Sequence, residues 1–568
     1  MKILMKEARH MKQHYVMPVG VDDFKKVREE YYYVDKTDFI RTLIDGHSQV
    51  TLITRPRRFG KTLALSTLYY FFDINRAQEN RPLFDGCRIE QAGDKYMKEQ
   101  GSKPVIFLTL KDVKQPDFPE MLEILRFTMQ SAYNAHKYLL QSDLLEDYEK
   151  DYFLTILTRK ATKADLQVSL KNLTDYLHRY HQKTALLLLD EYDAPIQAAW
   201  DNGYYKETID FMRNFLSTVL KSNPDLDFAV ITGVLRIAKE SIFSSLNNLK
   251  VSSLLTGSYS ESMGFTKSEI EQMASDFNVS DKLPQIKAWY DGYNFAGTEA
   301  YNPWSVINYF DNNAKPGLYW LNTSGNSIIK SLLKKTTLKQ EKELKSLLQG
   351  AEVRAKIDEG IIYSDIYKDR DALYTMLLTT GYLTLADEPT MRGIFLSAKL
   401  RIPNKEIRSV YAKEIIARIE AMEGSPQLLE LLYDLLDGNV EGFSSGLNTY
   451  LETLASYYDT TNTENFYHGF MLGLLALLVP DYTVRSNRES GYGRFDAAIF
   501  PGQEHTNGVI MEFKVAESEA KLPSKADEAL AQIETMDYLA EFRQQNITTV
   551  WQYGISFCGK KCHIAAKI

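Results

Sequence analysis

Residues 51–72 have the residue types and the spacing of a phosphate-binding loop. Their sequence, TLITRPRRFGKTLALSTLYYFF, is a short apolar strand, a basic loop that ends in Gly-Lys-Thr, and an amphipathic helix. In such a loop backbone N–H groups and the helix N-terminus face phosphate, a lysine reaches the outer phosphates and a hydroxyl binds Mg²⁺. The predicted nucleotide-binding residues are Arg58, Phe59, Gly60, Lys61, Thr62 and Leu63, with Thr62 as a ligand of Mg²⁺.

The loop departs from the full P-loop pattern at one position. That pattern has a glycine five residues before Gly60, where this sequence has Arg55, followed by Pro56, Arg57 and Arg58. A structural alternative, a basic turn capped by a glycine, fits the same residues. A second motif is needed to decide between the two interpretations.

Residues 184–196, TALLLLDEYDAPI, provide the second motif. The continuous apolar run predicts a central strand that is buried on both faces and ends in acidic residues. Asp190 can reach Mg²⁺ directly or through water, and Glu191 can polarise the attacking water. Asp193 fits an N-cap or surface turn as well as a catalytic role. The two motifs in this order predict that the chain binds ATP and Mg²⁺.

The elements around these motifs alternate between strand and helix. Helical periodicity over residues 163–181 leads directly into the acidic strand, and a helix over 205–221 leads into a strand over 227–232. This alternation predicts a mainly parallel sheet with helices on both faces and the nucleotide at the carboxyl ends of the strands. A further strand over 103–113 is expected to pair beside the P-loop strand.

Three strings in the N-terminal half resemble a known family. RPRRFGKT at 55–62, LLLLDEYDAPI at 186–196 and ITGVLRIAKESIFSSLNNL at 231–249 are similar to a bacterial AAA-ATPase-like family whose members carry a C-terminal PD-(D/E)XK nuclease-superfamily domain. The resemblance covers nearly the whole chain. It implies that the missing first glycine is a family trait and that Thr232 reads the γ-phosphate. Arg236 follows on the same face, although a solvated arginine at a helix start fits that position equally well.

The resemblance extends to an acid, acid, lysine set near the C-terminus. In a PD-(D/E)XK nuclease a metal-binding aspartate lies on one strand, a glutamate lies on the next, and a lysine follows two residues later. The matching positions are Asp496, Glu512 and Lys514. Residues i and i+2 of a strand share a face, so Glu512 and Lys514 are expected to point into one cleft. The carboxylates would hold Mg²⁺ and the lysine would orient or activate water.

Two further residues precede these strands. Glu464 and His468 form an i,i+4 pair on a predicted helix, which could bring an additional acid and a positioning residue to the same cleft. Without the resemblance, a solvated polar face would be the better interpretation of the whole set.

The sequence pattern and the resemblance together predict an α/β chain in three parts. Residues 16–310 are expected to form an AAA-like P-loop ATPase with a parallel sheet and a lid. Residues 311–456, which are helical and charged in pattern, are expected to form a helical connector, and residues 457–568 an α/β restriction-endonuclease-like domain. Arginines from a neighbouring copy often complete such ATPase sites, so a homo-oligomer is an expectation, with Arg57, Arg58 and Arg236 as candidates.

Composition limits the partners and the compartment. The 568 residues carry a formal charge of -8, so binding of nucleic acid, with DNA as the expected polymer, would need local basic patches. Three scattered cysteines, no apolar signal core and no long apolar run predict a cytoplasmic protein without a membrane partner. Cys558, Cys562 and His563 fit a strand, a tight turn and a strand better than they fit a zinc site.

Three functional hypotheses follow. The preferred one is an enzyme in which ATP hydrolysis gates or powers metal-dependent cleavage of nucleic-acid phosphodiesters. The second is an ATP-driven switch or binding module whose nuclease-like fold does not cut. The third is a signalling ATPase that uses its C-terminal domain to oligomerise. The intact acid, acid, lysine set favours the first.

Overall fold

The structure is a computed structural model that describes most of the chain. The described residues are 16–236, 243, 246–320, 338–348, 350–360, 369–411, 428–454, 464–475, 478, 482–490, 493–502 and 505–568. The chain divides into two compact units, Met1–Gly325 with Glu352–Asn404, and Asn326–Ala351 with Lys405–Ile568. We call them the first and the second unit. The sequence predicted three parts. In the structure, residues 352–404 of the predicted connector pack within the first unit.

A five-stranded parallel sheet forms the centre of the first unit. Its strands are β1 (Val50–Thr54), β2 (Val105–Thr109), β3 (Ala185–Asp190), β4 (Leu226–Gly233) and β5 (Leu249–Ser252). They lie in the order β2-β3-β4-β1-β5. The parallel sheet predicted from the strand and helix alternation is therefore confirmed. The expected pairing of the 103–113 strand with the P-loop strand is wrong, because β2 pairs with β3 and β1 lies between β4 and β5.

Helices flank this sheet and form the lid that follows it. They are α1 (Phe24–Glu30), α2 (Asp38–Gly46), α3 (Lys61–Phe72), α4 (Ala77–Asn80), α5 (Arg88–Gln91), α6 (Asp94–Met97), α7 (Phe118–Ala135), α8 (Asp147–Leu157), α9 (Lys163–His181), α10 (Ala194–Asn202), α11 (Tyr205–Leu220), α12 (Lys267–Asp276), α13 (Leu283–Tyr290) and α14 (Pro303–Asp311). A short hairpin of β6 (Tyr293–Phe295) and β7 (Thr298–Ala300) lies within the lid.

Local sequence explains how the acidic strand is reached. Helix α9 begins at a capping box in which the Thr162 hydroxyl accepts from Asp165 N–H and the Asp165 carboxylate accepts from Thr162 N–H. Gln182 ends the helix in the left-handed conformation, and β3 then enters the sheet with every residue buried. The acid at its end is thereby fixed at the carboxyl edge of the sheet.

The part of the predicted connector that belongs to the first unit contains strands. Helix α15 (Leu338–Leu348) belongs to the second unit, whereas β8 (Val353–Lys356), α16 (Arg370–Thr380), β9 (Thr384–Leu385), β10 (Thr390–Arg392) and β11 (Phe395–Arg401) belong to the first. The strands form an antiparallel sheet in the order β10-β11-β8, with β9 pairing with β11. The prediction of a helical connector is wrong here, because residues 398–401 alternate between buried apolar and exposed charged side chains with a period of two.

The second unit contains a five-stranded mixed sheet between two apolar layers. Its helices are α17 (Leu428–Asp437), α18 (Val440–Leu454), α19 (Glu464–Leu475), α20 (Leu522–Thr535) and α21 (Ala540–Gln544), and its sheet strands are β12 (Tyr482–Ser490), β13 (Gly493–Pro501), β14 (Asn507–Val515), β15 (Thr549–Cys558) and β16 (Lys561–Lys567). The five strands lie in the sheet in sequential order, and of the neighbouring pairs only β14 with β15 is parallel. The predicted strand, turn and strand at Cys558 and Cys562 is confirmed by the pairing of β15 with β16.

Alternation along β14 sends its side chains to different layers. Val509, Met511 and Phe513 join the core that contains residues of α17, α18 and α19, whereas Ile510 joins the core with Ile533 of α20. Glu512 and Lys514 therefore share the α20 side of the sheet. None of the described helices is both long enough and apolar enough to span a bilayer.

Candidate nucleotide and nuclease sites

The P-loop turns into α3 through two residues in the left-handed conformation. Gly60, with φ of 82°, caps the helix, and Arg58 has φ of 68°. A left-handed arginine costs about 1 kcal/mol, which the surrounding contacts must offset. The Arg58 guanidinium lies 4.2 Å above the ring of Trp304 in α14, and this contact is one that offsets the cost. The Arg58 side chain is thus directed to the lid.

The end of β3 brings three of the predicted residues together. Asp190 is 1% exposed, and its Oδ2 accepts from the Thr62 hydroxyl at 2.6 Å. Its Oδ1 accepts from the hydroxyl of Thr232, at the carboxyl end of β4. Both carboxylate oxygens are therefore paired with hydroxyls from elements on the same sheet edge. This donor set fits a Mg²⁺ site in which Thr62 binds the ion and Asp190 binds it directly or through a water molecule.

Lys61 is buried against its own loop. Its ammonium donates to the carbonyl oxygens of Arg55 at 3.0 Å and Pro56 at 2.8 Å, and the residue is 6% exposed. Burial lowers the pKa of Lys61, and the nearby charge of Asp190 opposes that shift. The lysine is thus placed at the start of α3 with neutral acceptors that phosphate oxygens could replace.

Arg55 occupies the position of the missing glycine, and its side chain points into the protein. The fully buried guanidinium donates to the carbonyls of Ser252 at 3.1 Å and Tyr259 at 3.3 Å, and it lies 5.2 Å from the ring of Phe295. Desolvation lowers its pKa to about 10, and it forms no ion pair with the described residues. Arg55 therefore anchors the loop to the segment after β5 and to the lid hairpin.

Phe59 is a second anchor between the loop and the lid. It is 1% exposed, and its ring packs edge-on against Tyr293 and Phe295, with centroids 4.9 and 5.2 Å away. These aromatic contacts pack the loop against the lid hairpin. The Phe59 ring is enclosed, so this residue can serve a nucleotide only through its backbone. Leu63 lies in the first turn of α3, where its carbonyl accepts from the Thr67 hydroxyl.

The two acids after Asp190 have different surroundings. Glu191 has φ of 50° and is partly exposed, and its carboxylate lies 3.7 Å from the Lys114 ammonium. Asp193 is buried, and one of its oxygens accepts from Val234 and Leu235 N–H, both at 2.9 Å. The surface-turn interpretation of Asp193 is therefore wrong, since the carboxylate fixes the loop after β4.

Arg236 and Arg57 complete the predicted basic set. Arg236 is the last described residue before the gap at 237–242, three residues beyond the end of β4. Arg57 donates to the side-chain oxygen of Gln197 at 2.7 Å. The structure does not bring either arginine to Asp190 through a hydrogen bond or an ion pair among the described residues.

The second candidate site lies where β13 and β14 pair. Asp496 Oδ2 accepts from Phe513 N–H at 2.7 Å, which fixes the aspartate beside β14. The Lys514 ammonium lies 3.6 Å from Glu512 Oε1, and the same oxygen accepts from Gln532 of α20. The three predicted residues are thus adjacent, with Gln532 as a fourth polar group.

Glu512 is buried beside a second carboxylate. It is 4% exposed, and burial together with the charge of Asp496 raises its pKa to about 8, against a smaller opposing effect of Lys514. Its Oε2 is buried and has no hydrogen-bond partner among the described residues. A cation at this oxygen would remove both defects, so the pair of carboxylates fits a divalent metal. The described residues contain no group of three or more His, Cys, Asp or Glu arranged to hold a metal.

His468 supports the strand that carries Asp496. Its Nε2 lies 3.0 Å from the backbone oxygen of Asp496, and its ring packs edge-on to Phe513 at 5.9 Å. The backbone of Glu464 begins α19, but its side chain lies outside the described part of the structure.

Sequence reasoning missed three contributors. Lys114, beside Glu191, follows an edge strand and has no motif around it. The Tyr538 hydroxyl accepts at 3.2 Å from the same Gln532 amide that donates to Glu512. The anchoring direction of Arg55 was not predictable from its loop, although an arginine in place of a glycine was a signal that its side chain had a use.

Comparison with known proteins finds a family match for each of the two regions that carry the candidate sites. Residues 18–243 match the family model described as a predicted AAA-ATPase, and residues 462–567 match the model of the PD-(D/E)XK nuclease superfamily. The chain joins an AAA-ATPase-like region to a PD-(D/E)XK nuclease-superfamily domain. The sequence resemblance is thereby confirmed.

Two similar proteins extend across most of the chain. A protein described as an uncharacterized protein in the vnfD 5′ region of Azotobacter chroococcum mcd 1 is 26% identical over 553 residues, which cover 93% of each sequence. Its bacterial source agrees with the bacterial family. The structure of the Aeropyrum pernix ORC2 protein in ADPNP-ADP complexes covers 69% of this chain and 98% of its own, at 11% identity and a TM-score of 0.25. That likeness is too weak to bear on function.

Proposed function

We propose that this protein hydrolyses ATP in its AAA-ATPase-like region and uses that reaction to control metal-dependent cleavage of nucleic-acid phosphodiesters by its PD-(D/E)XK domain. The observation that carries the proposal is the buried Glu512 carboxylate, which has one oxygen without a partner among the described residues and lies beside Asp496 and Lys514. A fold that had lost cleavage would have no reason to retain this costly group.

In the first unit the proposed roles begin with the residues that contact one another at the end of β3 and in the loop. The Lys61 ammonium would leave the carbonyls of its loop for the outer phosphates, and Thr62 and Asp190 would hold Mg²⁺. Thr232, which donates to Asp190, would register the γ-phosphate, and Glu191 would orient the attacking water. We propose Arg58, Phe59, Gly60 and Leu63 as contributors of backbone N–H groups, and Arg236 as a contact from the loop after β4.

In the second unit the roles divide between carboxylates and lysine. Asp496 and Glu512 would hold Mg²⁺, and the chemistry that the ion supplies when bound is polarisation of a phosphoryl oxygen. Lys514 would orient the attacking water and take part in its deprotonation. Gln532 and His468 would keep Glu512 and the strand of Asp496 in position.

A homo-oligomer is part of the proposal, because an arginine from a neighbouring copy would complete the ATPase site. Mass measurement of the protein with ATP tests it. A monomer whose specific ATPase activity does not depend on protein concentration would remove this part.

The function is tested with purified protein on linear, circular and single-stranded substrates, with and without ATP and Mg²⁺. Cleavage that needs Mg²⁺ and changes with ATP supports the proposal. A protein that hydrolyses ATP and binds nucleic acid but never cuts, under varied metals and substrates, would instead be an ATP-driven switch.

A further inference from the structure

One face of the small sheet in Glu352–Asn404 has an unusual concentration of positive charge. We call it the basic sheet face, and its members are Arg354 and Lys356 of β8, Arg392 of β10, and Phe395, Lys399 and Arg401 of β11. The strand register places Arg392 opposite Phe395, and Arg354 opposite Lys399. Directly opposed residues of antiparallel strands project from the same face, so these side chains form one surface.

The opposite face fixes this orientation. Val353, Ala355, Ala398 and Leu400 are buried and alternate with the basic positions. A slip of one residue would bury the cations and expose this apolar set, so the register of the strands is strongly specified. The exposure of the basic side chains is therefore a stable property of the fold.

Two of the five cations of the basic sheet face are paired with carboxylates of the described residues. Arg354 pairs with Asp387 at 3.1 Å and Lys399 pairs with Glu352 at 2.8 Å. Arg392 and Arg401 are exposed and form no ion pair with the described residues. The chain as a whole has a formal charge of -8, so this face opposes the overall charge. Like charges on strands about 4.8 Å apart repel one another, and a polyanion would relieve that repulsion.

Apolar groups adjoin the cations at the turn of the β10 and β11 hairpin. Met391 is 65% exposed, Ile394 is 83% exposed and Phe395 is 48% exposed. The ring of Phe395 has the Lys356 ammonium 4.0 Å from its centroid. An exposed aromatic ring beside cations is the arrangement on which unpaired bases stack while phosphates contact the charges.

From this surface we infer that the basic sheet face binds the phosphate backbone of a nucleic acid, with the ring of Phe395 against a base. The inference rests on the proposed function, because it gives the first unit its own contact with the nuclease substrate. Charges spread along three strands favour an extended polyanion over a membrane, for which the apolar residues at the hairpin turn would be the main contact.

The test measures binding of the full chain to labelled single-stranded and duplex DNA and RNA across a range of salt, in EDTA and without ATP. The variant R392Q/R401Q removes two cations and keeps their length. We expect it to lower the slope of log affinity against log salt by about 1.4 to 1.8, and affinity at low salt by at least about tenfold. The control R41Q/R88Q removes two arginines that are about half exposed on α2 and α5, and it should keep the wild-type slope.

A second variant separates stacking from charge. Phe395→Ser should weaken single-stranded binding by about tenfold and leave the salt slope unchanged. ATP hydrolysis without nucleic acid reports that each variant is folded. If R392Q/R401Q loses that activity, the single variants R392Q and R401Q replace it, each with an expected loss of about 0.7 to 0.9 in slope.

Contrary outcomes are distinct for the two proposals. Wild-type slope and affinity in the folded arginine variants would overturn the inference, even if the protein cleaves nucleic acid. Binding of wild type to phosphatidylserine vesicles but not to nucleic acid would also overturn it. A lowered slope in a protein that never cleaves would support the inference and remove the proposed nuclease function.

Discussion

The two acidic sites differ in how completely their carboxylates are paired. At the carboxyl edge of the parallel sheet, Asp190 accepts from Thr62 on one oxygen and from Thr232 on the other. On β14, Glu512 has one buried oxygen without a partner among the described residues, and its pKa is raised to about 8. The Asp190 carboxylate is held in place by two hydroxyl donors, whereas one oxygen of Glu512 would be stabilised by a cation or a proton. Removal of divalent metal ions should therefore destabilise the second site more than the first.

The largest effect that separates the sites is expected at Lys61. Lys61→Ala removes the only ammonium at the start of α3 and should lower ATP turnover by about 100-fold or more. Nucleic-acid binding in EDTA should be unchanged, because Lys61 belongs neither to the basic sheet face nor to the candidate nuclease site. Steady-state ATPase assays measure the change, with Lys25→Ala as a surface control. Wild-type turnover in Lys61→Ala would remove the P-loop assignment.

Substitution of Arg55, which anchors the P-loop, should give the next largest effect. Arg55→Met leaves the carbonyls of Ser252 and Tyr259 without a buried donor and should cost on the order of 3 kcal/mol of unfolding free energy. It should also raise KM for ATP more than it lowers kcat, since the loop loses its fixed position. Arg57→Met, in the same loop with one hydrogen bond to Gln197, is the matched control and should lose less stability. Equal losses in the two variants would contradict the anchoring role.

A smaller effect should appear in the pH dependence of stability. Glu512 has a folded-state pKa of about 8 against an ordinary value of 4.5, so the folded state keeps a proton that the unfolded state releases in this interval. The contribution of Glu512 is therefore fully present below about pH 4.5, and it is lost as pH rises toward 8. Glu512→Gln cannot titrate, so its Tm should exceed that of wild type increasingly over this range, without Mg²⁺. Mg²⁺ should raise the Tm of wild type more than that of the variant, and a constant Tm difference across this pH range would argue against the buried charge.

Much of the first site was predictable because its residues lie at the carboxyl ends of strands. Asp190 ends β3, Thr232 lies near the end of β4 and Thr62 lies at the start of the helix after β1, and such strand ends meet at one edge of a parallel sheet. The strand order was not predictable, since a buried strand has the same apolar pattern beside any neighbour. The contacts of Asp193 with the loop after β4 join residues about forty positions apart, and no local pattern encodes them.

The second unit and the small sheet show the same contrast between local patterns, which were predictable, and contacts distant in sequence, which were not. The period of two along β14 was enough to place Glu512 and Lys514 on one face, although not to predict that Glu512 would lack a full set of partners. The sheet of β8 to β11 was missed because charged residues around it suggested helices, and its clear alternation is confined to residues 398–401. Short strands need a pairing partner to be recognised, and β8 lies about forty residues before β11 in the chain.

The most direct test of ATP-controlled, metal-dependent cleavage compares cleavage and ATP hydrolysis in one set of proteins: wild type, Asp496→Ala, Glu512→Gln and Lys514→Ala. We predict that wild type cuts nucleic acid with Mg²⁺ and ATP. All three variants should lose cutting by about 100-fold or more while ATP hydrolysis and nucleic-acid binding persist. Lys514→Ala should keep the stabilisation by Mg²⁺, because the lysine is not a metal ligand. Undiminished cutting by these variants, or a wild type that hydrolyses ATP and never cuts any substrate, would contradict the account.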